Sequence, residues 1–138
     1  MTTADLGNVD VLVVGAGNAA ATAALQAHEL GASVAMLETA PKEARGGNSA
    51  FTGGAFRFTF RTVDDLIALA PDIRDLDLAN IDFGTYTIEQ YYDDMHRLTQ
   101  YRCDPDLTEV LIANSYAAAQ WLKKLGIRFQ PALGRQAF

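Results

Sequence analysis

The chain is poor in the residues that build metal centres and covalent cross-links. One of its 138 residues is cysteine, Cys103, and two are histidine, His28 and His96. A single cysteine excludes an internal disulfide, and with two histidines to join it a metal cluster lacks a ligand set. Cys103 therefore reads as a small, half-buried side chain. Basic residues are also scarce, with 11 Lys and Arg against 17 Asp and Glu and a net charge of −6. That balance argues against nucleic acid as a partner. No apolar run approaches the roughly 18 residues that suggest a membrane span, and no basic leader precedes an apolar core. Direct membrane insertion and secretion thus lack support, and a cytoplasmic location is expected. The acidity is uneven: residues 62–110 hold twelve acids against three bases, a net −9. This stretch reads as solvated outer surface, with a docking face for a basic redox partner as the sharper alternative.

Glycine and small residues are where the chain is rich, and they are concentrated early. Residues 10–38 read DVLVVGAGNAAATAALQAHELGASVAMLE. An apolar run from Val11 to Val14 leads into Gly15 and Gly17, then into a helix of small residues, Gly31, a second apolar run and Glu38. This is the layout of a βαβ dinucleotide-binding unit. Gly15 permits the sharp turn out of the strand, and Gly17, lacking a Cβ, lets the backbone approach a pyrophosphate. The phosphates would sit on unpaired N–H groups at the helix N-terminus, from Asn18 through Ala19 to Ala20, where the helix dipole favours negative charge. Glu38 follows Gly17 by twenty-one residues, near the roughly 20-residue spacing at which a carboxylate meets the ribose hydroxyls. It would repel a 2′-phosphate.

A second glycine-rich segment follows. Arg45, Gly46, Gly47, Asn48 and Ser49 come after the second strand, and Gly53 and Gly54 stand four residues beyond. Two glycine pairs so close together suggest loop backbone pressed against a flat or anionic ligand. On these motifs the sequence resembles the flavoprotein subunit family of fumarate reductases and succinate dehydrogenases. Within it, the likeness is greatest to the tricarballylate-oxidising subgroup, through ETAPKEARGGNS and the later WLKKLGIRFQPAL. The resemblance covers essentially the whole chain.

The resemblance implies an FAD site in which Gly15, Gly17, Asn18 and Ala19 hold the pyrophosphate and Glu38 the adenosine ribose. Gly46, Gly47, Asn48 and Ser49 would contact the phosphate and ribityl region. Thr52, Gly53 and Gly54 would lie beside the isoalloxazine and tune its electronics. Family members that attach FAD covalently carry a histidine about where Gly47 or Asn48 stands, so non-covalent FAD is expected. The implied reaction removes two hydrogens across a saturated C–C bond of a small carboxylate substrate, a base taking one as a proton and the flavin the other as hydride, with tricarballylate to cis-aconitate the specific expectation. The alternatives are a fumarate-reductase-like enzyme, an enzyme acting on a steroid-like enone, the flavin domain of an aerobic precorrin-3B synthase, and a catalytically silent nucleotide-binding piece.

The expected fold class is α/β: part of a Rossmann-like FAD-binding domain with a following helical segment. Residues 9–61 form the βαβ unit and flavin loop, 62–126 a mainly helical segment, and 127–138 the start of a further strand. Family members are several times longer, so the chain reads as the N-terminal portion of a larger enzyme whose proton-handling residues lie beyond Phe138. In finer detail, residues 1–8 form a polar leader, with strands over 9–14 and 33–38 and a helix over 18–30. Phe56, Phe58 and Phe60 alternate as in a short strand. A short helix spans 63–70, a surface loop 72–82, and further helices 88–100 and 106–125. The last of these turns Leu107, Val110, Leu111, Trp121, Leu122 and Leu125 inward, and Asp104 before Pro105 caps it. Arg57 and Arg61 suit a polycarboxylate as an arginine fork, but solvated surface is the plainer reading for each. Arg102 and Arg128 are anchored to no motif. Tyr91, Tyr92 and Tyr101 read as interhelical packing and His96 as a surface residue. The catalytic residues themselves are unassigned.

Overall fold

A computed structural model describes residues 7–131. Strand β1 (Val11–Val14), helix α1 (Asn18–Glu29) and strand β2 (Val34–Leu37) form the first unit with the loop to Gly54. The strands pair in parallel with Val11 opposite Val34 and Val14 opposite Leu37. Parallel pairing requires a crossover, which α1 supplies while packing on both strands. A clamp sets the register at the start. The Asp10 and Ser33 side chains meet with Ser33 Oγ donating to Asp10 Oδ2 at 2.7 Å, while each residue's N–H reaches the other's side chain at 3.0 and 2.9 Å. The chain is α/β, with the Rossmann-like strand–helix–strand that its glycine pattern predicts.

Apolar burial in this unit is slight. Ala24 is its one buried residue among those described, whereas Leu12, Leu25, Met36 and Leu37 are exposed and Val14 is 79% exposed. Two strands and one helix offer too few layers to cover both faces of a parallel sheet, a type normally buried on both sides.

The second unit, from Ala55 onward, is built from α2 (Val63–Leu69), α3 (Ile88–Thr99) and α4 (Pro105–Lys124). Each helix starts on a side-chain cap, which satisfies amides that have no intrahelical acceptor. Thr62 and Asp65 form a capping box on α2, Thr87 and Gln90 another on α3, and Asp104 Oδ1 accepts the Leu107 N–H at 3.0 Å on α4, with Pro105 in the first turn. Helix α2 and the 3-10 turn at Pro71–Asp75 supply Ile67, Ala70 and Ile73 to a core that Val63, Leu66, Leu76, Phe83 and Phe129 surround. Tyr91 of α3 and Ile112 and Ala119 of α4 are buried as well.

Four expectations need correction. The acidic stretch over 72–82 is not plain loop but holds two 3-10 turns, Pro71–Asp75 and Leu78–Asn80, the first fixed by burial of Ile73. Phe56, Phe58 and Phe60 make no strand; only Phe60 bridges Tyr86, and the rings pack with Phe129 and Tyr116 instead. Residues 127–131 carry no strand either, because Phe129 is drawn onto the α2 core; residues 132–138 lie outside those described, as do residues 1–6 of the expected leader. On α4 the inward stripe is Thr108, Ile112, Ser115 and Ala119, while Leu107, Val110, Leu111 and Leu125 are exposed and Trp121 and Leu122 half-buried. Small and hydroxyl-bearing residues let α4 approach its neighbours closely. Thr108 Oγ1 donates to Asp104 O at 2.7 Å, and Ser115 Oγ donates to Ile112 O and accepts the Thr59 N–H, so neither hydroxyl is buried unpaired.

Candidate cofactor site

The first unit brings its two glycine segments together. Gly15 leaves β1 at φ +116°, a conformation that disfavours any side chain, and donates its N–H to Leu37 O at 2.6 Å. A Cβ there would lie 3.7 Å from the Cβ of Ala20, so the small residue at 20 lets α1 come down onto the turn. Gly17 is the N-cap of α1, with φ −79° and no side chain to cap with, and the first turn carries no acid. The cap oxygen arrives from 31 residues away: Ser49 Oγ accepts the Asn18 N–H at 3.0 Å. Ser49 itself sits in a 3-10 turn, Gly47–Phe51, entered through Gly46 at φ +101°, and its N–H returns to Gly46 O at 3.1 Å. Ala19 and Ala20 follow Asn18 in the first turn, where N–H groups lack intrahelical acceptors.

Glu38 stands just after β2. Its carboxylate accepts the Ala40 N–H at 2.9 Å, and this bond, with smaller contributions from the Ala16 and Thr39 amides, holds its pKa below the ordinary 4.5. The acid is thus charged and held by the backbone just beyond β2. Thr52 Oγ1 accepts the Gly54 N–H at 3.2 Å, which turns the hydroxyl into its own loop while leaving its proton available to a ligand.

Two glycines stand apart. Of the ten described, eight adopt positive φ; Gly17 and Gly53 do not. A Cβ at Gly17 would meet Ser49 Oγ at 3.5 Å and Gly46 O at 3.6 Å, ordinary contacts, and at Gly53 it would meet nothing within 4 Å. Neither backbone angle nor packing demands glycine at these positions. The bare backbone at both fits a flat, anionic dinucleotide lying against them, and the donors available, helix N-terminal amides and one charged acid, match a pyrophosphate and a ribose.

Arg57 of the second unit has an internal role. Arg57 is not solvated surface: Nη1 meets Asp94 Oδ2 at 2.6 Å and Tyr86 Oη at 2.9 Å, and its guanidinium lies 5.4 Å from the Tyr86 ring centre. Asp94 also takes Arg97 at 2.8 Å. Arg61 is exposed, beside an open depression of about 220 Å³ that Asp65, Tyr86, Thr87 and Tyr116 also line. Tyr91 packs on Tyr86 with ring centres 5.3 Å apart, whereas Tyr101 is 81% exposed and stacks on His96. Among the described residues no cluster of three metal-ligating side chains occurs and no helix is long and apolar enough to cross a membrane. The sequence reading missed the Ser49–Asn18 bond, which has no periodic signal because it joins segments 31 residues apart.

A parallel strand–turn–helix with paired glycine segments and an acid after the second strand defines a dinucleotide-binding domain. The match to known proteins is more specific: residues 10–137 fit the FAD binding domain family. The chain belongs to that family, within the flavoproteins of the fumarate reductase and succinate dehydrogenase type, and its cofactor is FAD. It is 32% identical over 130 residues to the vinyl phenol reductase of Lactiplantibacillus plantarum, covering 94% of this chain and 23% of that protein. It is 32% identical over 125 residues to the urocanate reductase of Eggerthella lenta, covering 90% of this chain and 18% of that protein. The chain spans about a quarter of the length of the first relative and less of the second.

Proposed function

We propose that this chain is the FAD-binding part of an oxidoreductase that moves two hydrogens across a C–C bond of a small carboxylate, with tricarballylate to cis-aconitate as the specific reaction. The observation that carries the reading is the junction of the Gly15–Gly17 turn with the Gly46–Ser49 loop, beside a charged Glu38. Bound there, FAD supplies a two-electron acceptor next to the substrate. The chain's own residues bind and orient it. Gly15, Gly17, Asn18 and Ala19 receive the pyrophosphate, Glu38 the ribose, Gly46, Gly47, Asn48 and Ser49 the phosphate and ribityl region, and Thr52, Gly53 and Gly54 the ring. Because Gly47 and Asn48 offer no histidine, the flavin is held without a covalent bond. The specific substrate rests on the ETAPKEARGGNS and WLKKLGIRFQPAL likeness. An electron-transfer partner of basic character belongs to the same proposal, drawn by exposed acids outside the caps such as Asp72, Asp75 and Asp93.

A second reading runs the chemistry as reduction of a conjugated alkene, favoured by the names of the two relatives. Anaerobic titration of the purified full-length flavoprotein separates the two. Bleaching of the flavin band by tricarballylate supports the dehydrogenase. No bleaching, with re-oxidation of dithionite-reduced flavin by urocanate or a vinyl phenol, replaces it with the reductase. Acid precipitation should release the flavin into the supernatant, and flavin retained on the polypeptide would contradict non-covalent binding.

A further inference from the structure

We infer that Ser49 is a positioning residue that latches the flavin loop onto the pyrophosphate turn before FAD arrives. The inference rests on the FAD reading of this site but concerns the protein without cofactor. Helix α1 starts at a glycine that cannot cap it, and no acid stands in its first turn. An uncapped start leaves the first amides to water and frays the turn. Ser49 Oγ supplies the missing acceptor at 3.0 Å from the Asn18 nitrogen, and the 3-10 turn that carries Ser49 is closed by its own N–H on Gly46 O. One hydroxyl thereby fixes two segments that must hold the same ligand.

Gly17 is part of the device. The space its Cβ would occupy lies between Ser49 Oγ and Gly46 O, at 3.5 and 3.6 Å, so the two loops face each other across the bare backbone of this residue. An alanine fits there in the cofactor-free chain without displacing Ser49. The bond and the bulk at this junction can therefore be separated by mutation: Ser49→Ala removes the bond and adds no bulk, Ser49→Thr keeps a hydroxyl, and Gly17→Ala keeps the bond while adding one methyl between the two loops. A latch of this kind acts on the rate of binding, because a preassembled site avoids ordering two loops during association.

The test uses the full-length protein stripped of flavin. Hydrogen exchange at the Asn18 amide should quicken by about 3- to 10-fold in Ser49→Ala, the effect expected of one lost helix cap, and should stay at the wild-type rate in Ser49→Thr and Gly17→Ala. Stopped-flow mixing with FAD should show Ser49→Ala slowed in association by a similar factor, in addition to any faster dissociation from the lost contact with the bound cofactor. Unchanged Asn18 exchange in Ser49→Ala overturns the latch, and so does an effect confined to dissociation, which would make Ser49 a contact of the bound cofactor only. Failure of the wild type to take up FAD would sink the cofactor reading instead, and the exchange measurement would still decide the cap.

Discussion

The two units of this chain are ordered by different means. The helical unit buries Ile73 to 2% exposure and Ile112 completely, and each of its helices begins on a side-chain cap. The strand–helix–strand unit buries only Ala24 among its described residues and is held by the Asp10–Ser33 clamp, the parallel ladder and the Ser49–Asn18 bond. Hydrogen bonds exposed to water contribute little net stability each, about 0.5–1.5 kcal/mol, whereas a buried aliphatic side chain contributes about 1.5–3 kcal/mol. The helical unit therefore carries packing stability of its own. The nucleotide-binding unit is arranged for its ligand and gains stability by binding it.

The sharpest way to break this contrast is Ile112→Ala. Its expected effect is a loss of about 2–5 kcal/mol, the range for truncating a buried aliphatic residue, read by denaturant unfolding with the sole tryptophan, Trp121, as the fluorescent probe. A midpoint that does not move would mean the helical unit is no better packed than its neighbour. Glu38→Gln probes the other side. FAD should bind roughly tenfold more weakly through loss of a charge-assisted hydrogen bond, while the Trp121 unfolding curve stays in place. A shifted curve with unchanged FAD affinity would reverse the assignment of Glu38.

Acid should loosen both units in one window. Ser33 holds Asp10, the Arg61 and Thr62 amides hold Asp65, and Arg97 and Tyr86 hold Asp94, each below the ordinary 3.8. A carboxyl whose folded pKa is lowered adds stability that is fully present above its unfolded pKa and is lost as the pH falls through the folded value. Stability from these groups should be level from about pH 5 to 8 and decline below about pH 4. Circular dichroism against pH checks it, and a decline centred near neutrality would point to other groups. The smallest effect is expected for Val110→Ser in the 138-residue chain, within about 0.5 kcal/mol because Val110 is 62% exposed. A larger loss in the full-length protein would show that further polypeptide covers this face of α4.

Local chemistry was the most legible part of the sequence. The Gly15 turn, the Asp104–Pro105 start of α4 and the extents of α1, α3 and α4 follow from residue types whose preferences are set within a few positions. What depends on contacts from afar did not read out. The inward face of α4 was expected from its leucines, but close approach to neighbouring segments selected Thr108, Ser115 and Ala119 instead. Arg57 reads as a solvated cation in the sequence because Asp94, its partner, lies 37 residues on. Several acids of residues 62–110 likewise have internal work: Asp65 and Asp104 cap helices, Asp82 accepts the Gly84 N–H, and Asp94 neutralises arginine. The excess of acid there is thus partly architecture, not free surface charge. In the cofactor site the Gly15 turn could be foreseen, whereas the Ser49–Asn18 bond required the two loops to be seen side by side.

Gly17 and Gly53 carry a consequence for anyone diversifying this protein. Since neither position demands glycine for conformation or fit, alanine at either should pass any sorting of the cofactor-free protein based on expression, solubility or melting temperature. The same clones, sorted by yellow colour, should be lost. Positions where foldability and pigmentation part company in this way would mark out the cofactor's footprint on the chain without a single ligand-bound structure.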